Sequence, residues 1–214
     1  MLTVEAVLEV PAETDFVLWP TSGIRELTYM RLHGAMTDVE VGSAIRALME
    51  WTYDVYADRE ASIDRYLETG LAPPSRQDEV RETEGGLRFA DPQQGVTIDV
   101  GCCAGLDDRE SVYNFLDGAP NWSAGHDPSP SGYRADGLVR IVQDETDEAS
   151  ESLVCTEAEL RRELVSVETD LVAFVDLVAQ WATRHAPAVG EALAAEIARA
   201  LEIGRYDGRI PQDM

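Results

Sequence analysis

Apolar residues recur along this chain with two periods, and the switches between them outline its elements. At the N-terminus Val4, Ala6 and Leu8 alternate with Thr3, Glu5 and Glu9, which predicts a strand over residues 2–10. Phe16–Trp19, stopped by Pro20, reads as a second short strand, and Leu27–Leu32 as a third. From Thr37 the period lengthens. Val41, Ile45, Leu48, Thr52 and Val55 recur at four, three, four and three, which predicts a helix over 37–56. A shorter helix over 61–69 ends at Gly70. Leu71–Asp78, with Pro73-Pro74, reads as a linker. It divides an N-terminal part, 1–70, from 79–214, either as two domains or as two halves of one.

The middle returns to strands. Glu79–Thr83 and Leu87–Phe89 flank Glu84-Gly85-Gly86, which reads as a tight hairpin, and Val96–Val100 follows. Asp107–Leu116 predicts a helix, 121–132 a loop, Leu138–Gln143 a strand and 144–151 an acidic turn. Thr156-Glu157-Ala158-Glu159 is a capping box. Behind it Leu160, Leu164, Val167, Leu171, Phe174, Val178 and Trp181 hold an unbroken four-three alternation, the apolar seam of one long helix. Pro187 starts a second helix with its own face (Val189, Leu193, Ile197, Leu201), closed by Gly204. The expected class is α+β. A largely antiparallel sheet packs on the C-terminal αα-hairpin and the 37–56 helix. The 160–181 seam would make a homodimer if it were a coiled coil. The core reading is preferred, because the seam lacks regular flanking charge pairs.

Composition changes this picture through charge. Forty-one Asp and Glu stand against seventeen positive residues, all Arg, for a net charge of -24 on 214 residues. Such a surface repels phosphate backbones and anionic membranes and attracts basic partners. Hydrophobic content of 44% belongs to a globular chain, so the acidity sits on a folded surface. Met1–Val10 has no basic region of a signal peptide, no stretch is long and apolar enough for a membrane span, and three Cys make no disulfide framework. These point to a reducing cytoplasm. Arg in place of all Lys, with high Ala, points to a GC-rich genome.

Chemistry-bearing motifs are sparse. Gly101-Cys102-Cys103-Ala104-Gly105 follows a strand and offers a thiol nucleophile, with His126 and Asp127 of the Gly125–Pro128 loop as partners. The competing reading is two packed cysteines and a turn-stabilising His-Asp pair. Cys102, Cys103, Cys155, His33, His126 and His185 supply metal-ligand types, but without the two-to-four-residue spacing of zinc sites. Adjacent cysteines on a strand would point to opposite faces. Neither a metal nor a cofactor is therefore expected. No phosphate-binding glycine motif occurs. Between Asp144 and Asp176 eleven carboxylates face only Arg161 and Arg162. Asp144, Glu145, Asp147, Glu148 and Glu151 are thus the expected docking residues for a basic protein, with Trp122 and Tyr133 as aromatic anchors. A solvated acidic face, or adaptation to a saline cytoplasm, accounts for the same charge.

Val100–Cys103, Asn121-Trp122, Gly125–Pro130, Val139-Arg140 and Gln180-Trp181-Ala182 together resemble a family of uncharacterised acidic proteins of actinobacterial type, over about the C-terminal 120 residues. That resemblance implies no activity. In composition and layout the chain is also similar to immunity proteins, small acidic antidotes of basic bacterial toxins. This second likeness implies a non-catalytic inhibitor as the expected function, with a Cys-His enzyme as the alternative.

Overall fold

A computed structural model describes residues 1–13, 16–50, 62–71 and 83–209. The fold is α+β. Strands β1 (Thr3–Val10), β2 (Thr28–Arg31), β3 (Gly85–Asp91) and β4 (Val96–Ile98) form one sheet in the order β2-β1-β3-β4. Strands β5 (Asn121–Ser123), β6 (Ser131–Ala135), β7 (Leu138–Val142) and β8 (Ser152–Cys155) form a second, an antiparallel meander in chain order. The helices are α1 (Asp38–Glu50), α2 (Ile63–Leu71), α3 (Arg109–Leu116), α4 (Glu157–His185) and α5 (Gly190–Ala200). None of them is long and apolar enough to cross a membrane.

The chain divides into two compact units, each discontinuous in sequence. The first holds Met1–Val7, Glu84–Thr169 and Gly204–Met214; the second holds Leu8–Thr83 and Asp170–Ile203. The division expected at 71–78 falls, beyond Leu71, outside the described residues, as do residues 51–56 of the expected helix and 79–82 of the expected strand.

In the first unit the meander buries one row of side chains, Trp122, Gly132, Ile141 and Leu153, which stand opposite one another across the four strands. The Trp122 indole lies flat against Gly132, where any β-carbon would collide with it. The ring also packs at a tilt on Phe89 of β3, with ring centroids 5.3 Å apart. Gln143 ties the meander to β4's end through two hydrogen bonds with the Asp99 backbone. Arg134 of β6 closes the C-terminus of α3, donating to the Phe115 and Ala119 carbonyls while pairing with Glu157. The hairpin turn lies at 92–95, between β3 and β4, and not at Glu84-Gly85-Gly86. Gly85 and Gly86 belong to β3 itself, at φ +141° and +152°, values open in practice only to glycine.

In the second unit α1 opens with a capping box. The Thr37 hydroxyl accepts from the Glu40 N–H and donates to its carboxylate, which also accepts from the Thr37 N–H. Phe16–Trp19, expected as a strand, is an irregular segment that inserts Trp19 into an aromatic cluster with Phe16, Tyr66 and Trp181. The Trp19 indole N–H donates to the Gly42 carbonyl at 2.9 Å. The α4 seam is buried along its full length: Leu160, Leu164, Val167, Leu171, Phe174, Val178 and Trp181 are at most 1% exposed. These residues belong to the core of the chain itself.

Candidate functional site

Two exposed features of the first unit carry chemistry. One is the cysteine turn. After β4, residues 101–104 reverse direction, with the Ala104 N–H donating to the Gly101 carbonyl at 3.4 Å. Cys102 and His126 then face each other as an isolated antiparallel bridge. The Cys102 N–H donates to the His126 carbonyl at 2.7 Å, and the His126 N–H donates to the Cys102 carbonyl at 3.0 Å. Residues paired in this way present their side chains on one face. Cys103 has φ +58°, and this left-handed residue overturns the expectation that the neighbouring thiols point apart. Alternation of side chains holds for extended backbone; here the chain turns, and the two Sγ atoms lie 3.4 Å apart.

Glycines make the arrangement possible. A β-carbon on Gly101 would collide with the Pro128 carbonyl, and one on Gly125, itself at φ +70°, would stand 2.7 Å from the Cys102 carbonyl. The two loops therefore pack backbone against backbone. Cys102, Cys103 and His126 are all exposed, and their ligating atoms lie within 4.8 Å of one another. Asp127 does not complete a triad. Its carboxylate is 3.9 Å from His126 Nδ1, beyond hydrogen-bond distance, and its side chain is 98% exposed.

The other candidate ligands lie elsewhere. Cys155 is buried in β8; burial, and then the Glu159 carboxylate, push its thiol up to about 12. His33 Nδ1 accepts the Ala35 N–H, and His185 Nε2 is 2.8 Å from Asp38.

The second feature is the acidic turn between β7 and β8. Asp144 accepts the Thr146 N–H and hydroxyl, bonds that hold its carboxyl below the usual range. Asp147 accepts the Ala149 N–H, Glu145 accepts the Ser131 hydroxyl at 3.2 Å, and the Asp144 N–H donates to Ser150. The turn is thus tied by its own side chains. Glu148 and Glu151 are left projecting, both exposed. Among the described residues no arginine pairs with any of the five carboxylates. Arginines instead neutralise acids elsewhere, as in Arg88–Asp99, Arg134–Glu157 and Arg199–Glu196.

Trp122 is corrected: it is 4% exposed, on the buried row of the meander, and cannot anchor a partner. Tyr133 faces the other way. It stands in register with Arg140 and Val154, on the outer row of the same sheet, half-buried beside two exposed residues. Arg140 lies in the expected strand Leu138–Gln143, and its outer-row neighbour Val154 lies in Ser152–Cys155, a strand absent from the expected elements. The alternation of exposed Val154 between buried Leu153 and Cys155 is the signal that was there.

Fold and sites define an acidic α+β protein with a preformed carboxylate turn and an exposed vicinal-thiol cluster. No family model matches the chain, and neither a curated protein nor a solved structure matches it.

Proposed function

We propose that this chain is a non-catalytic acidic protein that binds a basic protein in the cytoplasm and inhibits it, the partner being a toxin or a nucleic-acid-acting enzyme. The observation that carries the reading is the 144–151 turn, whose backbone is tied by Asp144, Asp147 and Ser150 and whose carboxylates are left without arginine partners among the described residues. A backbone held in position loses little freedom on docking, and the field of the carboxylates it carries speeds encounter with a cationic surface. Among the described residues only Glu13, Asp91 and Glu168 are buried acids, so nearly all the described acidity faces solvent. The outer row Tyr133–Arg140–Val154, on β6 and on the two strands that the turn joins, supplies contact area beside the charge.

The Cys-His enzyme has one observation in its favour, the pairing of Cys102 with His126, and one against it, the unaligned Asp127.

The test starts from capture of a basic protein from source lysate at low salt and its release by moderate salt. Association of that protein with a Glu145→Arg, Glu148→Arg, Glu151→Arg variant is then measured. These three positions spare the aspartates that tie the turn. The on-rate is expected to fall by about one to three decades at low salt and to converge with wild type as salt rises. An on-rate unchanged by the three reversals overturns the docking role.

A further inference from the structure

We propose that Cys102, Cys103 and His126 form a surface site for a thiophilic d10 metal cation, zinc(II) or copper(I), with one coordination position left to solvent or to a donor from another molecule. This inference is independent of the acidic docking reading. Two thiols and an imidazole are the donor set these ions select over magnesium or calcium. The geometry is close to that required. Two sulfurs on one tetrahedral zinc, each at about 2.3 Å, stand roughly 3.8 Å apart; here the Sγ atoms are 3.4 Å apart. The whole set spans no more than 4.8 Å, which rotations of exposed side chains close to the roughly 3.6 Å of a zinc-bound sulfur–nitrogen edge.

The backbone beneath is already fixed. The Cys102–His126 bridge sets two ligands on one face, and the left-handed Cys103 brings the third beside them. Little ordering of the chain remains for the metal to drive. Binding forms two metal–sulfur bonds and one metal–nitrogen bond. Two thiol protons leave to solvent, and the imidazole binds neutral. The net charge of -24 enriches cations around the whole surface. Three exposed ligands make an open site, suited to receiving and releasing an ion, whereas structural zinc sites close all four positions with protein.

The experiment is anaerobic titration of the reduced protein with cobalt(II), read by absorption. The expected result is one equivalent bound with a sulfur-to-cobalt charge-transfer band, displaced by zinc. Cys102→Ser, Cys103→Ser and His126→Ala are each expected to weaken binding about tenfold or more, while Cys155→Ala leaves it unchanged. Alkylating the exposed thiols of the wild-type protein before titration gives the same loss without any substitution. A spectrum lacking the thiolate band, or equal affinity in the Cys102→Ser/Cys103→Ser double variant, overturns the site and assigns the cobalt to surface carboxylates.

Discussion

The two halves of α4 share one buried apolar seam and differ in what is buried beside it. In the first unit, Glu168 enters the core paired with Arg109. Its carboxylate accepts from the Arg109 guanidinium at 2.9 Å and from the Tyr113 hydroxyl at 3.1 Å, and the Arg109 side chain is fully buried. Arg109 also donates to the Leu106 carbonyl and lies over the Tyr206 ring, itself stacked on Tyr113 at 4.5 Å. Burial, and then the Glu168 charge, drive the Tyr113 phenol far above its ordinary range, so it stays a donor. In the second unit the same helix is held by rings. Trp181 is fully buried, edge-on to Trp19, and its indole nitrogen has no hydrogen-bond partner. To the shared apolar seam the first half adds a buried ion pair and the second a cluster of rings, with its own ion pairs (Arg31–Asp170, His185–Asp38) left at the surface.

Single truncations should strike both halves hardest. Glu168→Ala leaves Arg109 buried without a counter-charge and is expected to cost about 3–5 kcal/mol in denaturant unfolding, whereas Arg109→Met with Glu168→Leu recovers most of that. A double variant as unstable as the single one would show the pair to be worth more than its packing. Trp181→Ala should cost about 3–5 kcal/mol as well, by cavity and lost contact. Trp181→Phe should cost clearly less, because no hydrogen bond is broken. Equal losses for Phe and Ala would contradict the account from area.

The smallest effect concerns the start of α4. Thr156→Ala removes a capping box and should cost about 1 kcal/mol at neutral pH. Hydrogen bonds from the Thr156 N–H and then its hydroxyl hold the Glu159 carboxyl below its ordinary 4.5. A depressed carboxyl contributes its full stability above the unfolded value and loses it as pH falls through the folded one. The difference between wild type and Thr156→Ala should therefore shrink as pH drops below about 4.5. A difference constant down to pH 3 would exclude the Glu159 carboxylate as the partner.

Local signals carried the helical part of the fold and failed where backbone conformation decided. The α4 seam and its cap were legible because period and capping chemistry agree over eight turns' worth of residues, Glu157 to His185. Helix α1 carries the same box at Thr37–Glu40, which the reading passed over. Gly85-Gly86 looked like a turn because glycine marks both turns and extended backbone at positive φ. At the Cys102–Cys103–His126 cluster the residue types were legible and their geometry was not. The strand rule for adjacent cysteines was sound, but a positive φ at Cys103 took the pair out of its domain. Trp122 was misplaced for a related reason: its strand is three residues long, too short for alternation to show which way an indole points.

The Arg109–Glu168 pair also fixes how far along its axis α4 can slide. A slip of four residues, which carries most seam positions onto other apolar residues, would bring Leu164 or Val172 to the place of the carboxylate, and the buried cation opposes it more strongly than the seam does. Apolar side chains reward contact with almost any greasy neighbour; a guanidinium out of reach of water accepts only an anion. The seam sets the face that α4 buries, and the ion pair sets the step along that face, the observed one being the one that neutralises Arg109.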